Sequence, residues 1–187
     1  MANKDSAFGL KPIGKVGQNA DNNGLSEYDI AASATAIYFQ DPVEILATGT
    51  IGVAAAGDTT ILGSLNGVFF TDANTSKPTF ANHLNASNTA TDIKGFVTDD
   101  PYQRYEIQSD GATAAADVGL NADFVYAAGS SPDYVSKVEL QTSDQKTGTA
   151  QLRILGISKD IENNEAGSAN VNLVVLINEH QLKGTTG

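Results

Sequence analysis

The sequence predicts an all-β protein, a small β-barrel or β-sandwich with long loops and an extended N-terminal arm. Three observations lead to this fold class. Apolar residues come in short runs rich in β-branched and aromatic side chains, turn-forming residues separate the runs at short intervals, and no long segment shows the 3.6-residue period of an amphipathic helix. Dense turns between short strands are typical of sandwiches and barrels.

Residues 1–26 form the predicted N-terminal arm. Several glycines and Pro12 interrupt this segment, and its apolar residues are spaced singly: Phe8, Leu10, Ile13 and Val16. A segment of this composition cannot build a core of its own. We therefore expect it to pack on another surface, either that of its own domain or that of a neighbouring subunit, and these four side chains are the candidate contacts.

Residues 27–187 are predicted to form a single β domain, with its strongest strands at residues 150–158 and 169–177. Alternation places Leu152 and Ile154 on one face of the first strand and Arg153 and Leu155 on the other. The run Val171–Ile177 is typical of a strand buried on both faces. Further strands are predicted at residues 28–30, 36–39, 43–46, 50–53, 60–62, 67–71, 94–98, 104–108, 124–126 and 134–140.

Three segments of the domain do not fit the strand pattern. Residues 113–117 are the best helix candidate and allow one or two turns at most. Residues 72–92 and 158–169 are long polar connections, and loops of this length are often functional or contact a partner. We take Asn74 and His83, in the first of these connections, as further candidate contacts.

The composition excludes several classes of protein. The chain has 187 residues and a formal net charge of −11, with a pI near 4.3, and it contains no cysteine. The acidic balance argues against a nucleic-acid partner, because neutralising phosphates requires clustered Lys and Arg. Without cysteine there is no disulfide or thiolate metal site. The longest apolar run is too short to span a membrane and no secretory leader is visible, so we expect a soluble chain made in a cytoplasm, with no membrane partner.

Few residues suggest chemistry. His83 and His180 are the only histidines, and no nucleophile motif accompanies them. Asp99 and Asp100 have the residue types of a glycosidase carboxylate pair, but Asp100 precedes Pro101, and Asp-Pro more often opens a turn. We predict no catalytic residue and no cofactor.

A calcium loop is the one metal site that the sequence hints at. Asp72, Asn74 and Ser76 have the oxygen spacing with which such a loop begins. The Gly and Glu required later in the loop are replaced by Lys77 and His83. We interpret the segment as an ordinary loop and predict no metal site.

A set of segments in a fixed order carries a family resemblance. They are AFGLKPIGKVG, NNGLSEYDIA with IYFQDPVEI, GVFFTD, KGFVTDDPYQRYEIQSDG, DVGLNADFVYAAGS, AQLRILGISKD and NVNLVVLINEHQ, which together extend from Ala7 to about Gln181. In this order the chain resembles a family of virion structural proteins of tailed bacteriophages, the capsid decoration or cement proteins. Each segment is ordinary β sequence, so the specificity lies in the order.

The resemblance implies a non-enzymatic protein that binds the outer surface of the major capsid protein lattice and stabilises the phage head. It also implies synthesis in the host cytoplasm, residence on the virion, and trimers on the capsid. The arm and the loop that carries Asn74 and His83 would then contact the capsid or a neighbouring subunit. Two alternatives stay open: a structural protein of the phage tail or fibre, and a carbohydrate-binding module.

Overall fold

The computed structural model describes residues 2–18, 24–57 and 60–183. Within these ranges the chain forms thirteen β-strands, three single-turn 3-10 helices and no α-helix. The all-β fold class is therefore confirmed. In the same ranges, no helix is long and apolar enough to cross a membrane.

The strands are numbered in chain order. They are β1 (Lys11–Lys15), β2 (Ser26–Asp29), β3 (Pro42–Ile45), β4 (Ile51–Val53), β5 (Gly63–Thr71), β6 (Pro78–Ala81), β7 (Lys94–Thr98), β8 (Gln103–Gln108), β9 (Asn121–Ala122), β10 (Phe124–Val125), β11 (Glu139–Leu140), β12 (Leu152–Ile157) and β13 (Asn172–Ile177). The 3-10 helices are Val16–Gln18, Ala115–Asp117 and Thr142–Asp144.

The first sheet has five antiparallel strands in the order β1-β8-β13-β12-β9. In β12, Leu152 and Ile154 are buried while Arg153 and Leu155 face solvent, as the alternation predicts. In β13 the predicted burial of both faces is only partly found. Leu173, Val175 and Ile177 are buried on one face, whereas Val174 and Leu176 on the opposite face are half-buried. The buried face packs into a cluster that also contains apolar residues of β8, β10 and β11.

The second sheet has six strands. Five of them follow the order β2-β7-β5-β3-β4. The sixth, β6, shares one edge of β5 with β3: β3 pairs with the N-terminal part of β5, and β6 pairs with its C-terminal part. Val43, Leu65, Val68 and Val97 are buried in a second cluster on one face of this sheet. Neither sheet closes on itself within the described residues, so the structure fits the predicted sandwich rather than the barrel. A third, two-stranded sheet joins β10 and β11.

The two larger sheets meet at the N-terminal segment. The Leu10 N–H donates to the carbonyl of Gln40 at 2.9 Å, and the Ser64 hydroxyl donates to the Leu10 carbonyl at 2.6 Å. A second contact joins the two sheets: the buried Tyr105 hydroxyl of β8 donates to the carbonyl of Thr98 in β7 at 2.8 Å. Backbone groups at this junction are therefore paired, as buried polar groups require.

Several predicted elements differ from the structure. Strand β1 lies inside the predicted arm, and β6 lies inside the predicted connection of residues 72–92. Both are short edge strands that contain proline, a residue tolerated at edges because a free edge needs no ladder donor. The helix candidate is a single 3-10 turn, Ala115–Asp117, and of the predicted strand 134–140 only β11 forms. Residues 158–169 contain no strand.

Candidate interaction surfaces

Side-chain amides fix the start of the N-terminal segment to its own domain. Asn163 accepts the Lys4 N–H at 3.1 Å and donates to the Lys4 carbonyl at 2.7 Å. Gln108 of β8 accepts the Ser6 N–H at 2.8 Å and donates to the same Lys4 carbonyl at 3.0 Å. Gln108 and Asn163 are both buried, so these bonds are shielded from water. Of the two surfaces considered for residues 1–26, the described part of the segment thus packs on its own domain.

Gly9 and Leu10 place the next part of the segment against the core. The backbone of Gly9 has φ 78°, and a Cβ there would lie 2.4 Å from the Gln40 carbonyl oxygen and 2.5 Å from the Ser136 Cβ. Only glycine fits this approach. Leu10 follows with no exposed surface and belongs to the first hydrophobic cluster. The contact prediction is therefore corrected for Leu10, because a side chain buried in its own core cannot touch a partner.

The other three candidates of the segment are accessible. Ile13 is 42% exposed and Val16 is 41% exposed. Phe8 is half-buried, with the Lys11 ammonium 5.7 Å from its ring centroid. Strand β1 is one edge of the first sheet, and the exposed Ile13 side chain on it is available for contact.

Asn74 lies in the exposed turn between β5 and β6. One Asp72 carboxylate oxygen accepts the Asn74 N–H at 3.0 Å, the Thr75 N–H at 2.7 Å and the Thr75 hydroxyl at 2.9 Å. These bonds from Thr75 and Asn74 hold the pKa of Asp72 below its usual range. The carboxylate that would begin a calcium loop instead stabilises the turn, which leaves the Asn74 side chain exposed.

His83 follows β6 and is half-buried. Its ring stacks on Tyr134, with the ring centroids 3.8 Å apart and the ring planes at 1°. The neighbouring Asn82 donates to the carbonyl of Asp133 at 3.1 Å. Burial lowers the pKa of His83. His83 therefore anchors the segment after β6 to the turn that carries Tyr134.

The outer face of the second sheet carries three phenylalanines that we did not single out from the sequence. Phe69 of β5 lies directly across from Phe80 of β6, and Phe96 of β7 lies across from Gly67 of β5. Val68, between the two β5 positions, points into the core, so the three rings share the opposite, outward face. Phe80 is 74% exposed. We call Phe69, Phe80 and Phe96 the aromatic face.

Charged side chains border the aromatic face on the β2 side. Lys94 of β7 lies 2.6 Å from a carboxylate oxygen of Asp29 and 3.3 Å from one of Glu27, both on β2. The bonds to Asp29 and Glu27 raise the pKa of Lys94. Two carboxylates thus share one ammonium group, and this border carries a surplus of negative charge.

Two clefts connect the aromatic face with β1. The first, about 340 Å³, is lined by Phe80, Phe96 and Asn66 among others. The second, about 470 Å³, is lined by Asn66 and by Lys11 and Pro12 of β1. Since Asn66 borders both, the aromatic face and the edge of the first sheet are neighbouring surfaces.

The carboxylates considered as a catalytic pair have structural partners. The Gln103 N–H donates to the Asp100 carbonyl at 3.0 Å, which confirms the predicted turn. The Asp100 carboxylate pairs with Lys15 at 2.8 Å, and this contact holds its pKa below the usual range. Asp99 accepts the Tyr28 hydroxyl at 2.6 Å. In the described ranges, no three His, Asp or Glu side chains come together in a way that could hold a metal ion.

No known protein family, curated protein or solved structure matches the chain.

Proposed function

We propose that the chain is a non-enzymatic capsid decoration, or cement, protein of a tailed bacteriophage. It binds the outer surface of the major capsid protein lattice as a trimer and stabilises the head, after synthesis in the host cytoplasm. The observation that carries the proposal is the order of the family-like segments from Ala7 to about Gln181.

The segments that carry the resemblance form parts of both larger sheets. AFGLKPIGKVG includes β1, GVFFTD includes the end of β5, and KGFVTDDPYQRYEIQSDG includes β7 and β8. Segments from both sheets meet at the junction around Leu10. A rigid two-sheet body with accessible apolar side chains suits a protein that binds a repeated lattice by shape.

The direct test adds purified protein to heads that lack it. We expect saturable binding at a fixed ratio to the major capsid protein, and a higher temperature for head disruption. Heads that bind no protein, or that bind it without any gain in stability, would refute the proposal.

The contribution of the N-terminal segment needs point variants rather than a truncation. Deleting residues 2–26 would also remove β1 and take Leu10 out of the core, so lost binding would report unfolding. Ile13→Glu and Val16→Glu change exposed side chains instead. Val118→Glu is a matched control, because Val118 is also 41% exposed and lies outside the segment. If the N-terminal segment contacts the shell, the first two variants bind heads more weakly than the control, and equal binding of all three would remove that contact.

A further inference from the structure

The aromatic face places one strongly exposed ring beside two half-buried ones. Phe80 has 74% of its surface in solvent, and its ring centroid lies 4.9 Å from that of Phe69. Phe80 sits on β6, an edge strand that pairs only with β5 among the described strands. An exposed aromatic ring that continues a half-buried aromatic cluster on paired strands is typical of surfaces that bind another molecule.

Gly67 gives this face a depression. It lies across from Phe96, and a Cβ at Gly67 would approach the Ala81 carbonyl oxygen to 3.1 Å. Because this position has no side chain, the cleft of about 340 Å³ can open between the rings of Phe80 and Phe96. A cleft of this kind accepts one or two apolar side chains of a partner.

The charged side chains at the border of the aromatic face indicate the charge of the partner. The Glu27 and Asp29 side chains are 56% and 66% exposed and share the single ammonium of Lys94. This local negative surplus adds to the net charge of −11 of the whole chain. Complementary charge across an interface favours a cationic partner.

We propose that the aromatic face docks a cationic, apolar polypeptide surface of the capsid lattice. Apolar side chains of the capsid protein enter the cleft beside Phe80, and its Lys or Arg side chains meet Glu27 and Asp29. The identity of this partner rests on the proposed function.

Three other occupants fit the face less well. A second copy of this chain would bring like charges together, and the carboxylates repel nucleic-acid phosphates. A sugar ring stacks best on a flat platform, whereas Phe69 and Phe80 are tilted by 51° to each other.

The test measures binding to decoration-free heads with matched surface variants. Phe80→Ser removes the exposed ring. Val118→Ser is the control, since Val118 is 41% exposed, follows the acidic Asp117 and lies outside every segment proposed to contact the capsid. We expect Phe80→Ser to weaken binding at least about tenfold, as the loss of an aromatic hot spot does, and Val118→Ser to leave it unchanged. Thermal unfolding of both variants checks that they fold.

Charge is tested separately. The double variant Glu27→Gln, Asp29→Asn is expected to bind more weakly than wild type at low salt and equally at high salt, because salt screens exposed charges over about 10 Å at 0.1 M. An unchanged salt dependence would overturn the cationic partner.

The outcomes separate this inference from the proposed function. If wild-type protein binds no heads, the proposed function fails and this partner fails with it. If wild type binds and Phe80→Ser binds equally well, only the aromatic face is overturned. Self-association of the free protein that Phe80→Ser abolishes, or binding to a glycan array that it abolishes, would also overturn the inference in favour of another occupant.

Discussion

Two buried titratable groups, Asp41 and His180, are expected to oppose each other in the pH dependence of stability. Asp41 has no exposed surface, and its carboxylate accepts the Tyr38 N–H at 2.8 Å. Burial raises its pKa from 3.8 to about 6. His180 is 3% exposed, and burial together with the nearby Lys183 lowers its pKa from 6.5 to about 4.

The direction in which each group changes stability with pH depends on whether the folded or the unfolded chain binds its proton more tightly. For Asp41 the folded chain keeps the proton to higher pH than the unfolded chain, so the free energy of unfolding falls as pH rises from about 4 to 6. For His180 the folded chain resists protonation, so the free energy of unfolding falls as pH drops from about 6.5 to 4. At 1.36 kcal/mol per pH unit, each contribution is about 3 kcal/mol. The two therefore nearly cancel in the wild type.

Asp41→Asn and His180→Asn reveal the two contributions. Urea unfolding between pH 4 and 7 gives the free energy of unfolding of each variant relative to wild type, and groups common to both chains drop out of the difference. For Asp41→Asn the difference is expected to rise by about 3 kcal/mol from pH 4 to pH 7. For His180→Asn it is expected to fall by about the same amount. Any cost of the altered hydrogen bonds is independent of pH, so differences that stay flat would refute the reasoning.

Two further predictions concern the N-terminal segment. Leu10→Ala is expected to lower the free energy of unfolding by about 2–5 kcal/mol, because it leaves a cavity in the core, whereas Ile13→Ala, on the exposed face, changes it by less than about 1 kcal/mol. Equal effects in urea unfolding would mean that Leu10 is not a core residue. Gly9→Ala and Gly49→Ala both place a side chain at a positive φ, near 80°, at a cost of about 1 kcal/mol. A Cβ at Gly49 has no atom within 4 Å, so Gly9→Ala is expected to cost about 1–3 kcal/mol more through its clash with Gln40. Similar melting temperatures for the two variants would contradict the close approach at Gly9.

The sequence predicts the central strands well because alternation is a local property. Leu152 and Ile154 differ from Arg153 and Leu155 in burial as their order in the chain indicates. Edge strands carry less of this pattern. In KPIGK, proline and glycine indicate a break, yet the segment pairs with β8 about 90 residues away through a bulge between Pro12 and Gly14. Such pairing depends on the partner strand, which a local pattern does not identify.

The candidate surfaces are likewise predictable from the sequence only where a local pattern of residues defines them. The spacing of Phe8, Leu10, Ile13 and Val16 indicates a segment that docks through apolar side chains, but it does not show that Leu10 alone enters the core. Phe80 stands in a polar run, KPTFAN, where no alternation indicates a strand. Its exposure follows from the pairing of β6 with β5. The aromatic face arises only when the consecutive strands β5, β6 and β7 pair in this register, which a local pattern does not identify.

The most direct test of the central claim is the copy number of the chain in purified virions. Quantitative gel analysis against the major capsid protein gives this ratio. A decoration protein that covers the head lattice is expected in a near-stoichiometric ratio. A ratio of only a few copies per particle would contradict the account and place the protein in the tail or a fibre.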